Sequence, residues 1–189
     1  ETPYTDPIAV ENPLALQVME AAMGKDFYCM FYNTNTAYPG SEYQRLHRDI
    51  GLPFPELPYA LPVYMVVVNI PLVDFTLENG STEVYPGTHL ITDIDPADGQ
   101  KLLERVEHLP AVRTNLKAGS LVVRDMRMWH RGMPNPSDMV RTMLAIVYGR
   151  GFWKTDPRMN QIPRSTWDNF SETSKYLFRN SPIVEDAEV

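Results

Sequence analysis

The chain has 189 residues, 43% hydrophobic and 22% charged, which suits one globular domain with its own core. A net charge of −7 argues against a nucleic-acid partner, whose recognition needs a basic patch. The longest apolar run, residues 63–73, is too short for a membrane helix, and the single cysteine, Cys29, excludes both an internal disulfide and a cysteine-based zinc site.

In chain order, "ENPLALQVMEAAMGK" is punctuated as a helix. Asn12 can cap it, Pro13 suits its first turn and Gly24 its end. Leu14, Val18, Met19 and Ala22 form the expected apolar stripe. "DFYCMFYNTNTAY" reads as an aromatic-rich strand and "YQRLHRDI" as a second. "GLPFPELPYALP" is a proline-rich loop. "VYMVVVNIPLV" suggests a strand buried on both faces. Asn79-Gly80 signals a hairpin turn from which "TEVYPGTH" returns. "DPADGQKLLERVEHLP" holds a short rim helix, and "AVRTNLKAGSLVVRDMRMWH" two strands about Ala118-Gly119. "RTMLAIVYGR" is a further strand, and "STWDNFSETSKYLF" packs as a helix. Many short strands with helices at the ends predict a mainly β sandwich or barrel with flanking helices.

"LHRDI" puts His47 and Asp49 two residues apart, on one face if the chain is extended. A surface strand could read the same way, so the pair needs a third ligand. Of the other histidines, His108 falls in a polar helix and His89 after a strand, where solvent and a structural hydrogen bond suffice. His130 ends the strand "SLVVRDMRMWH" and supplies that ligand. If the following loop is a hairpin centred near Asn135 and Pro136, Arg141 lies opposite His130, within cross-strand reach. Two histidines and one aspartate on one face of a metal are the ligand set of non-haem Fe(II) oxygenases. Their co-substrate, 2-oxoglutarate, has a far carboxylate that a guanidinium fork grips well. Gly132 leaves room for it. Asn69, polar within a buried strand, needs a partner and can face the same pocket, as can Tyr32 and Thr34. Trp129, Met126, Met128, Tyr59 and Tyr64 are candidates for the substrate mouth.

Four stretches, "LHRD", "ENGSTEVYPGTHL", "KAGSLVVRDMRMWHRGMPN" and "VRTMLAIVYGR", occur in this order. Together they resemble the phytanoyl-CoA dioxygenase family of Fe(II)/2-oxoglutarate-dependent oxygenases over about residues 27–150. The resemblance implies a double-stranded β-helix (jelly-roll, cupin-like) fold within a single domain over residues 1–189. It implies Fe(II) on His47, Asp49 and His130, and 2-oxoglutarate on Arg141, with O2 as oxidant. Members often carry serine where this chain has Gly132. They also have more chain before the His-x-Asp strand, so an N-terminal portion of the domain is expected beyond residue 1, which is Glu. The expectation is a dioxygenase acting on a C–H bond of a small organic substrate in a reducing, cytoplasmic compartment, without nucleic-acid or membrane partners. A zinc-dependent hydrolase and a non-catalytic jelly-roll binding module are the alternatives.

Overall fold

The computed structural model describes residues 5–94, 99–156 and 160–186. Residues 95–98, the first four of the expected rim helix segment, lie outside them. Two short helices, α1 (Pro7–Val10) and α2 (Pro13–Met23), lead into the long strand β1 (Phe27–Ala37). Asn12 caps α2 as expected, accepting from Leu14 N and Ala15 N. The buried stripe, however, is Ala15, Met19 and Met23, while Leu14 and Val18 face outward. The helix is rotated from the expected face because α1, absent from the sequence reading, brings Val10 into the same core.

Strands β2 (Met65–Pro71), β3 (Glu83–Val84), β4 (Val112–Arg113), β5 (Val122–Asp125), β6 (His130–Arg131) and β7 (Arg141–Arg150) form two sheets. One runs β1-β7-β2-β5 and the other β4-β3-β6, with antiparallel pairing throughout. Strand β2 lies inside the larger sheet and is buried along its whole length, as its β-branched run requires. Its residues alternate. Val66, Val68 and Ile70 join the core beneath α2, and Met65, Val67 and Asn69 face the other way. Helix α3 (Gly99–Val106) covers the smaller sheet through Leu102 and Val106, which pack with Leu46, Tyr85, Ile94 and Trp129. The expected C-terminal helix is two, α4 (Arg164–Asp168) and α5 (Glu172–Leu177), flanked by the parallel pair β8 (Ile162–Pro163) and β9 (Ile183–Val184). Ser171 caps α5, which restarts the helix.

Two expected hairpins are instead crossings between sheets. The chain leaves β2 in the larger sheet, turns at Asn79-Gly80 and enters β3 in the smaller one. Asn79 accepts from Thr76 N and donates to Asp74 O, which holds the turn. Gly80 has φ +77°, and a Cβ there would lie 2.6 Å from the carbonyl oxygens of Met133 and Pro134. Only glycine fits that approach. The second crossing, from β6 to β7, separates His130 from Arg141. His130 pairs with Val84 and Arg141 with Ala37, so they are not cross-strand partners. The loop is fixed by Asn135, fully buried, which donates to Ala37 O (3.0 Å) and Met139 O (2.8 Å).

Candidate metal centre

The stretch before His47 is not a full strand. It meets the sheets through isolated bridges, Ser41 with Asn135 and His47 with His130. His47 N donates to His130 O (3.1 Å) and His130 N to His47 O (2.9 Å), so the main chain itself sets the two imidazoles side by side. Their ring centroids are 4.3 Å apart. Asp49, two residues on, reaches the same point. Its Oδ1 lies 3.6 Å from His47 Nε2 and 3.4 Å from His130 Nε2. One ligand atom from each of the three residues falls within 4.8 Å of the others. These separations suit neighbouring ligands on one ion with metal–ligand bonds of about 2.0–2.2 Å.

The imidazoles are also oriented as a metal needs. His47 Nδ1 lies 2.6 Å from Arg45 O and His130 Nδ1 3.0 Å from Met128 O. A carbonyl only accepts, so each Nδ1 donates to it, and each Nε2 is the nitrogen turned toward Asp49, where a metal would take the place of its proton. Burial alone would raise the Asp49 carboxyl. The hydrogen bonds to His130 and His47, with the Arg124 charge, outweigh it and hold the group well below the usual carboxylate range. His47 is raised, first by its contact with Asp49, and burial lowers His130. The two differ because His130 is the more enclosed and has Arg124 beside it.

A cavity of about 370 Å³ opens over the triad. Its floor is the inward face of the larger sheet, and the paired residues form rungs. Phe31, Val147 and Val67 make one; Asn33, Ala145 and Asn69 the next; Asn35 and Met143 the third. Polarity therefore rises along the sheet. Asn69 lines the cavity, and its buried Nδ2 has no partner among the described residues. Gly132 also lines the cavity, and its N–H donates to Gln44 Oε1 at 2.9 Å. Tyr32 and Thr34 do not line it. A β-bulge at Met30 reverses the alternation of β1, so Phe31, Asn33 and Asn35 turn inward and Tyr32 packs in the opposite core. The mouth candidates divide as well. Met126 lines the cavity, Trp129 is fully buried under α3, and Tyr59 is exposed.

Arg141 shares the inward face of β7 with Met143, Ala145 and Val147. It is 2% exposed, and neither Nε nor Nη1 has a hydrogen-bond partner among the described residues. Its guanidinium lies over the Phe75 ring at 4.6 Å. Burial and the neighbouring Arg113 charge lower its pKa. A buried cation with bare donors is costly unless an anion meets it. Phe75 also walls a small pocket that shares Asn69, Thr82, Arg124 and Met143 with the main cavity. Arg124 is the residue that sequence reading missed. It is 8% exposed, and its Nη1 lies 2.8 Å from Asp49 Oδ2.

A family model described as phytanoyl-CoA dioxygenase matches residues 6–143. The "Dioxygenase af480" of Aspergillus fumigatus is 32% identical over 178 residues, which are 91% of this chain and 54% of that protein. The "Iron/alpha-ketoglutarate-dependent dioxygenase ausO" of Aspergillus calidoustus is 29% identical over 123 residues, 62% of this chain and 39% of that one. The chain thus spans about half or less of these relatives. Among solved structures, EvdMO1 superposes with TM-score 0.58 at 26% identity, covering 73% of this chain and 30% of that one. The non-heme monooxygenase ThoJ, solved with nickel, gives 0.56 at 25%, covering 76% and 52%. The fold is the expected double-stranded β-helix. With the matched segment running from before α1 into β7, this chain belongs to the phytanoyl-CoA dioxygenase family.

Proposed function

We propose that the chain is a non-haem Fe(II)/2-oxoglutarate-dependent dioxygenase that oxidises a C–H bond of a small organic molecule, with release of succinate and CO2. One observation carries the reading: the two-histidine, one-carboxylate face opens on a cavity that shares Asn69, Thr82, Arg124 and Met143 with a small pocket walled by Phe75, and over that ring lies Arg141, a buried cation whose Nε and Nη1 have no partner among the described residues. Bound iron would supply the activation of O2 and the oxidising chemistry. His47, Asp49 and His130 would hold it on one side, leaving the cavity side open. Arg141 would orient the far carboxylate of 2-oxoglutarate, with Asn69 as a neighbouring donor. The walls formed by Met30, Phe31, Met65, Met126 and Val147 offer the substrate an adaptable apolar surface and exclude water.

The reading assigns the protein a small-molecule substrate. No helix among the described residues is long and apolar enough to cross a membrane. The unpaired, buried Cys29, pushed up to about 12 by burial, is suited to a reducing cytoplasm. A zinc hydrolase would use the same triad but leave Arg141 with nothing to bind. Supplying Fe(II), ascorbate, O2 and 2-oxoglutarate tests the difference. Succinate formed by wild type and lost in Asp49→Ala supports the dioxygenase. Ester or amide hydrolysis with zinc, and no succinate, would favour the hydrolase.

A further inference from the structure

Arg124 lies on β5 opposite Val67 of β2, at the wall shared by the triad cavity and the small pocket beside Phe75. Its Nη1 is committed to Asp49 Oδ2 at 2.8 Å. The same nitrogen is 3.4 Å from His130 Nδ1. That second contact is not a hydrogen bond, because Nδ1 already carries a proton for Met128 O. A cation held against an N–H is unfavourable, and the Asp49 carboxylate is what keeps it there. Both of these contacts use Nη1, and neither draws on Nε or Nη2. The Arg124 side chain borders a space also lined by Asn69, Thr82 and Met143.

Arg124 lines both the triad cavity and the small pocket walled by Phe75, the ring beneath Arg141, so a 2-oxo acid spanning the triad and Arg141 would run beside it. Its keto and adjacent carboxylate oxygens would lie at the Asp49 end, next to Arg124. The charges favour this. Asp49 cancels one of the two charges of a divalent ion, and Arg124 restores it, so the site regains its pull on an anion. A guanidinium fork suits such an arrangement, since one edge can hold Asp49 while the other faces a second acceptor.

We propose that Arg124 is a second co-substrate cation: it ties down Asp49 through Oδ2 and offers its remaining N–H groups to the metal-binding end of a 2-oxo acid. The inference rests on the dioxygenase reading above. Arg141 would then recognise the far carboxylate and Arg124 the near one.

Two acids separate these roles. 2-Oxobutyrate keeps the chelating end of 2-oxoglutarate and lacks the far carboxylate. Each is titrated calorimetrically into Mn(II)-saturated wild type, Arg124→Gln, Arg124→Lys and Arg141→Ala. Gln retains a donor for Asp49 Oδ2 while removing the charge, and Mn(II) uptake and thermal unfolding are measured on every variant. Arg124→Gln is expected to weaken both acids about tenfold to a hundredfold, the worth of a charge-assisted hydrogen bond. Arg124→Lys recovers part of that loss for both. Arg141→Ala weakens 2-oxoglutarate and leaves 2-oxobutyrate unchanged. Equal 2-oxobutyrate affinity in wild type and Arg124→Gln overturns the inference and leaves the dioxygenase reading standing. Metal-loaded wild type that binds neither acid overturns both.

Discussion

His47 and His130 exchange both of their backbone hydrogen bonds, at 3.1 and 2.9 Å, although one lies on an irregular segment and the other on β6. The metal-side geometry is therefore set by the main chain and survives changes to either ring. His130→Ala should abolish stoichiometric Mn(II) binding while leaving the circular dichroism spectrum and the bridge intact. Retained stoichiometric binding in this variant would remove His130 from the site.

Metal uptake should depend on pH through His47. Its pKa is raised, chiefly by the contact with Asp49. A raised folded pKa means that the pairing stabilises the metal-free fold fully below the ordinary histidine value of about 6.5, and fades as pH rises through the folded pKa. A metal must displace that proton. Mn(II) affinity should therefore climb with pH from about 6 upward and level off above the His47 pKa. Calorimetry across a pH series, with imidazole resonances followed by NMR in the metal-free protein, checks this. A flat affinity would contradict the coupling.

The Asn135 side chain ties the β6–β7 crossing together with four hydrogen bonds, two given and two received from Ser137. Asn135→Ala leaves the carbonyls of Ala37 and Met139 without this donor. We expect a loss of about 2–4 kcal/mol by urea denaturation, since each buried group left bare costs about 1–3 kcal/mol. The same change should weaken 2-oxoglutarate, because the crossing positions Arg141 relative to His130. A loss below about 1 kcal/mol would show that water replaces the side chain without penalty.

Gly132→Ser restores the hydroxyl seen in many family members, but the space is taken. A Cβ there would lie 2.8 Å from Gln44 Oε1, the acceptor of the Gly132 N–H. Gln44 is exposed and can move, so the variant should fold with a lowered Tm. Gln44→Ala in the same chain should recover the loss. Thermal unfolding of the single and double variants tests this; a double variant no more stable than Gly132→Ser would locate the strain elsewhere.

The triad was legible because its signal is local. His-x-Asp on extended chain shares a face, and His130 follows a readable strand. Arg141 was legible as a residue type, but the route to it was not. A loop between two strands looks alike whether it closes a hairpin or crosses between sheets, and here Asn135 and Gly80 serve crossings through contacts distant in sequence. Tyr32 and Thr34 were misplaced by one extra residue in β1, since a bulge inverts every later side chain and leaves no mark on composition. Arg124 was hidden for a related reason. Alternation placed it on a face, but only the fold shows that the face meets Asp49.

We expect one site to bind a metal and, through it and Arg141, 2-oxoglutarate. The most direct measurement is calorimetric titration of 2-oxoglutarate into wild type with and without Mn(II), and into Mn(II)-loaded Arg141→Ala. Binding should require the metal. Arg141→Ala should weaken it by roughly thirtyfold to several thousandfold, from a cost of about 2–5 kcal/mol for truncating one partner of a buried charge pair. Mn(II) affinity itself should be unchanged in that variant. Binding indifferent to metal, or equal in wild type and Arg141→Ala, would contradict the expectation of one shared site.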